Sequence, residues 1–105
     1  MTRRKLPQRR ASETFTVRFW NQPFAVTVGF YPDGTVGEVF ISGPKSGQDA
    51  LSIACDAAIL LSLGLQHGVP IATIRRAVTR GSLGEPASVL GAIVDALPTT
   101  GRGAA

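Results

Sequence analysis

The chain has 105 residues, one cysteine, one histidine and a formal net charge of +4. That length suits one domain with a modest core, and a single cysteine excludes an internal disulfide and any multi-cysteine metal site. No apolar run reaches the ~20 residues of a membrane span, and the basic start lacks the apolar stretch and cleavage site of a secretory signal, so a reducing cytoplasm is the expected setting.

The charge is unevenly placed. Arg3, Arg4, Lys5, Arg9 and Arg10 fall in the first ten residues without an acid among them. From Ala11 onward six basic and seven acidic residues leave a net of −1. Residues 1–12 lack hydrophobic periodicity and read as a disordered basic interaction arm.

Phe15, Val17 and Phe19 then alternate with Thr14, Thr16 and Arg18. That period of two marks a half-buried strand. Asn21-Gln22-Pro23 breaks it, and Phe24, Val26, Val28 and Phe30 begin a second strand. Pro32-Asp33-Gly34 is a turn, and a third strand follows from about Thr35 to Ser42. Short connections favour an antiparallel meander. Gly37 inside the third strand signals a bulge or a close backbone approach.

The period then changes. A helix is expected from about Gly47 to Gln66, with Asp49, Ser52 and Asp56 as a polar stripe. Its second half is apolar nearly all round apart from Ser62, so it should be buried on most sides by the sheet, other helices or a second subunit. Gly68 suits the left-handed position after a helix, and Pro70 the first turn of the next. Helix two is expected from about Pro70 to Arg80, with Ile71, Ile74 and Val78 inward. Helix three is expected from about Pro86 to Leu97. Residues 98–105 read as a disordered tail. The fold class is α+β, a three-stranded antiparallel meander followed by two to three helices in two layers, with residues 13–97 as one domain.

GPKSG at residues 43–47 does not make a P-loop, because no second glycine precedes Lys45 at the required spacing. Ser46 followed by Asp49 reads as a variant capping box. The competing reading is an anion site at the helix N-terminus, using Lys45 and Ser46. Cys55, mid-helix among alanines, reads as a small hydrophobe. His67 suits a helix C-terminus, where a cation is favoured. Glu38 and Asp56 are isolated carboxylates. Trp20 and Tyr31 are core edge or a stacking surface. Arg75, Arg76 and Arg80 are expected on the outward side of helix two. With Arg3, Arg4, Lys5, Arg9 and Arg10 they could form a patch for nucleic acid or an acidic protein.

Four runs carry a family resemblance: RRKLPQRR at residues 3–10, PDGTVGEVFI at 32–41, GPKSG at 43–47 and LLSLGLQHGVP at 60–70. Together they resemble the TSCPD domain. That domain occurs near the C-terminus of adenosylcobalamin-dependent class II ribonucleotide reductases and as small free-standing proteins. The resemblance implies a reductase or another protein as partner, with a homodimer also open. It links the chain to adenosylcobalamin only by association and implies no cofactor in this chain. A reductase of that class needs an active-site thiol and a redox cysteine pair, and one cysteine cannot supply them. The Cys-Pro motif of the family is also missing: GSLGEPAS places Ser82 and Glu85-Pro86 in its neighbourhood. The resemblance therefore implies a non-catalytic accessory domain of ribonucleotide reduction.

Overall fold

A computed structural model describes residues 2–42 and 48–98, with the side chains of residues 48–50 outside that description. Three strands, β1 (Ser12–Phe19), β2 (Gln22–Phe30) and β3 (Val36–Ser42), precede three helices, α1 (Gln48–Gln66), α2 (Ile71–Ala77) and α3 (Val89–Ala96). The sheet is antiparallel throughout, in the order β1-β2-β3. This is the α+β meander that the alternation predicts.

The register explains the core. Val17 pairs with Phe24, Phe15 with Val26, Val26 with Ile41 and Val28 with Val39, so the middle of one sheet face is apolar, with Glu13 and Gln22 at its margins. α1 and α3 cover that face, adding Ala54, Ala58, Leu61, Leu65, Val89, Ile93, Val94 and Leu97. The other face carries Thr14 and Thr27, hydroxyl to hydroxyl at 2.9 Å, and an exposed Phe40. Trp20 and Asn21 form the two-residue β1–β2 hairpin, both at positive φ (52° and 60°). That geometry matches the right-handed twist of the strands it joins. Asn accepts it readily, whereas Trp does so at a steric cost.

β3 departs from regular pairing at one point. Gly29 pairs with Glu38 and Phe30 with Val36, which leaves Gly37 as the extra residue of a bulge. A β-carbon there would lie 2.6 Å from the Tyr31 ring and 2.7 Å from a Leu6 methyl. The close approach anticipated at Gly37 is thus made by an aromatic ring and by the N-terminal segment.

α1 ends in a Schellman motif. The Gly68 amide donates to Leu65 and the Val69 amide to Gly64, with Gly68 at φ 92°. Pro70 is the N-cap of α2. α2 is shorter than expected because Val78 is already extended. α3 starts later than expected because Ser88 caps it, accepting from the Gly91 amide at 3.1 Å. Between them a small hairpin closes through an Arg80–Pro86 bridge, with Leu83 at its exposed tip.

Two features of the described residues bear on the expectations for the arm and for α1. The arm does not stand free of the domain. The Arg4 amide donates to the Gln66 carbonyl at 2.7 Å, and the Tyr31 hydroxyl to the Arg4 carbonyl at 2.5 Å. Its backbone satisfies one of the orphan carbonyls at the end of α1, a service that leaves no hydrophobic pattern in the sequence. Secondly, within one chain Ile59, Leu60 and Leu63 stay exposed, so the sheet and the other helices leave this side of α1 uncovered and the second subunit is the cover still open in that expectation. Lys45, Ser46, the proposed capping box and residues 99–105 lie outside the described residues.

Candidate functional site

β3 is an edge strand, and unpaired edges invite association with other chains. Here the helix that follows closes it. The Val39 amide donates to the Ser62 hydroxyl at 2.9 Å, and that hydroxyl lies 3.3 Å from the Val39 carbonyl. Gln66 Nε2 donates to the Gly37 carbonyl at 2.9 Å, and the Cys55 thiol to the Ile41 carbonyl at 3.4 Å. Residues 37, 39 and 41 carry the outward-facing polar groups of the strand. Positions 55, 62 and 66 fall on one stripe of the helix, so a single helix face meets the strand edge. Ser62 is therefore the polar exception in an apolar helix because it has a strand to satisfy. Cys55 is half-buried in this contact instead of being only a small hydrophobe.

Gln66 also gathers the arm. Its side-chain oxygen accepts from Arg3 Nε at 2.5 Å while its carbonyl accepts from the Arg4 amide. The Arg4 guanidinium lies 3.8 Å over the Tyr31 ring and reaches Asp33 at 3.2 Å. Thr35 donates to Asp33 through both hydroxyl and amide, which with Arg4 holds that carboxyl below its ordinary value. Burial pushes the Tyr31 phenol up, with Arg4 opposing. Arg10 pairs with Glu38 and donates to the Pro7 carbonyl.

The candidate cations therefore do not converge. Arg75, expected to face outward, donates to the carbonyls of Val94, Asp95 and Leu97 at 3.0, 3.2 and 2.5 Å. It caps the C-terminus of the neighbouring helix, where carbonyls lack intrahelical partners. Arg80 lies beyond α2, so it shares no helix face with Arg76. It forks onto Asp95 with both contacts at 2.7 Å. Those hydrogen bonds hold the Asp95 carboxyl below its ordinary value. Among the described residues, Lys5, Arg9 and Arg76 enter no ion pair or side-chain hydrogen bond with another group. Sequence reasoning missed Gln66 and Ser62 as the central polar residues, although their helical spacing was visible.

No group of three histidine, cysteine or acidic side chains could hold a metal ion among the described residues. No helix among them is long and apolar enough to cross a membrane. Open grooves of about 490 and 630 Å³ flank the arm. The single histidine directs Nδ1 to the Leu63 carbonyl of its own helix at 2.8 Å.

These features define a small α+β domain whose edge strand is sealed by its first helix and whose basic N-terminus is folded against both. The chain belongs to the TSCPD domain family, whose model matches residues 1–100. It is similar to vitamin B12-dependent ribonucleotide reductases. That of Bradyrhizobium diazoefficiens is 39% identical over 69 residues, 66% of this chain and 6% of the relative. That of Agrobacterium fabrum is 38% identical over 69 residues, 66% of this chain and 5% of the relative. That of Streptantibioticus cattleyicolor is 34% identical over 71 residues, 68% of this chain and 12% of the relative. The chain thus spans a small fraction of the length of the curated relatives it matches. No solved structure matches it.

Proposed function

We propose that the chain is a non-catalytic accessory domain of ribonucleotide reduction, acting through a reductase that it binds. The setting of its one thiol carries the reading. Cys55 is half-buried at the α1–β3 contact and directed to the Ile41 carbonyl. A reactive thiol is favoured by a helix N-terminus or adjacent cations, and Cys55 lies in the interior of a 19-residue helix. The similarity to B12-dependent reductases supports the association with that pathway.

The alternative is a binding module for nucleic acid or an acidic partner. It has less support, because Arg3, Arg4, Arg10, Arg75 and Arg80 are engaged within the domain. Lys5, Arg9 and Arg76 remain for it.

The test has two parts. The pure chain, supplied with adenosylcobalamin, a dithiol reductant and ribonucleotides, is expected to yield no deoxyribonucleotide. Calorimetric titration into a B12-dependent reductase of the same host is expected to give a saturable complex. Turnover abolished by Cys55→Ala would refute the non-catalytic role, and absence of any complex would refute the association.

A further inference from the structure

The outward side of α1, with the residue that follows it, carries a seam at heptad spacing: Ile53, Asp56, Leu60, Leu63 and then His67, separated alternately by three and four residues. Ile53 is 71% exposed, Leu60 70% and Leu63 37%. A 3-4-3-4 repeat places side chains along one line of a helix and is the pattern by which two helices pack side by side. The stripe is distinct from the Cys55, Ser62 and Gln66 stripe that closes the edge of β3. Ile59, 57% exposed, and Phe40, 56% exposed, extend the apolar surface beyond it. An exposed apolar surface of this extent on one helix marks an interaction site.

The order of residues along the seam selects the occupant. Asp56 and Leu60 precede the midpoint between Leu61 and Ser62, and Leu63 and His67 follow it at equal distances. A second copy of the helix running antiparallel about that midpoint sets Leu60 against Leu63 of the other copy and Asp56 against His67. Each contact then occurs twice, as a two-fold interface requires. A parallel pair would instead set Asp56 against Asp56, a like-charge contact that disfavours it. The same antiparallel register brings Ile53 of the second copy to the groove lined by Gly64, Val69, Ile74 and Leu90. That groove holds about 270 Å³ and is almost wholly apolar. Gly64 presents no side chain on this flank, and a β-carbon there would meet only Val69, at 3.9 Å.

We propose that the outward face of α1 is a homodimer interface, in which two copies pack antiparallel with Leu60 against Leu63 and Asp56 against His67. The proposal is independent of the reductase reading, since it rests on this helix alone.

Sedimentation equilibrium of the full chain tests it. The wild type is expected to show a monomer–dimer equilibrium with a Kd of order 10 µM or tighter. Leu60→Glu places a charge in the seam and should weaken association about thirtyfold or more. Its far-UV circular dichroism should remain that of the wild type, because Leu60 is exposed within one chain. Asp56→Lys should weaken association, and adding His67→Glu to it should restore it. A chain that stays monomeric at about a hundred times that concentration overturns the proposal and leaves the face to a different protein. A dimer indifferent to Leu60→Glu overturns it, as does a double variant no tighter than Asp56→Lys alone.

Discussion

Gln66→Leu is expected to lower the stability of the domain by about 2–3 kcal/mol, with an apparent Tm lower by roughly 10 °C. Gln66 is 5% exposed and joins three elements at once. Its amide nitrogen satisfies the Gly37 carbonyl at the bulge of β3, and its side-chain oxygen receives Arg3. Leucine has nearly the same volume, so the substitution removes hydrogen bonds without opening a large cavity. The Gly37 carbonyl loses its partner in a buried place, and an orphaned polar group of that kind costs about 1–3 kcal/mol. The Arg3 guanidinium can return to water and adds less. Thermal and urea unfolding measure the sum. A change within about 0.5 kcal/mol, typical of plain surface positions, would show that Gln66 is not the joint described.

Gly37→Ala has a second large effect, through sterics alone. The added methyl would lie 2.6 Å from the Tyr31 ring and 2.7 Å from Leu6. Both neighbours are held from other directions. Tyr31 donates to the Arg4 carbonyl and lies under the Arg4 guanidinium. Relief therefore requires the ring or the arm to shift, and overpacking of this sort costs about 1–3 kcal/mol. Unfolding by urea gives the magnitude, and the Leu6 methyl resonances report whether the arm is displaced. A variant as stable as the wild type with unmoved Leu6 resonances would contradict the packing at the bulge.

Much of the fold was legible because it rests on local patterns. Phe15, Val17 and Phe19 alternate, Pro32-Asp33-Gly34 turns, and Gly68 closes α1, each for a reason confined to neighbouring residues. Gly37 was legible as an irregularity, but not as the seat of Tyr31 and Leu6. The contacts of the arm were not legible, for a different reason. Its contacts are backbone hydrogen bonds and arginine pairs to residues about 30 and 60 positions away, and such contacts leave no periodicity. Charge clustering in a segment without apolar pattern reads as a solvated tail until the distant acceptors are placed beside it. Arg75 and Arg80 were misplaced because α2 stops at Ala77 and α3 brings its carbonyls and Asp95 to them. The Ser62 and Gln66 stripe was visible in spacing, but its meaning depends on β3 lying alongside α1.

The central claim is that the basic N-terminus packs against the domain, with Arg3, Arg4 and Arg10 engaged there. Amide hydrogen exchange at Arg4 tests it most directly, because that amide donates to the Gln66 carbonyl at the end of α1. The account predicts slow exchange at Arg4, opening together with the β3–α1 contact reported by the Val39 amide. Exchange at Arg4 as fast as in an unstructured peptide, with Val39 still protected, would contradict it.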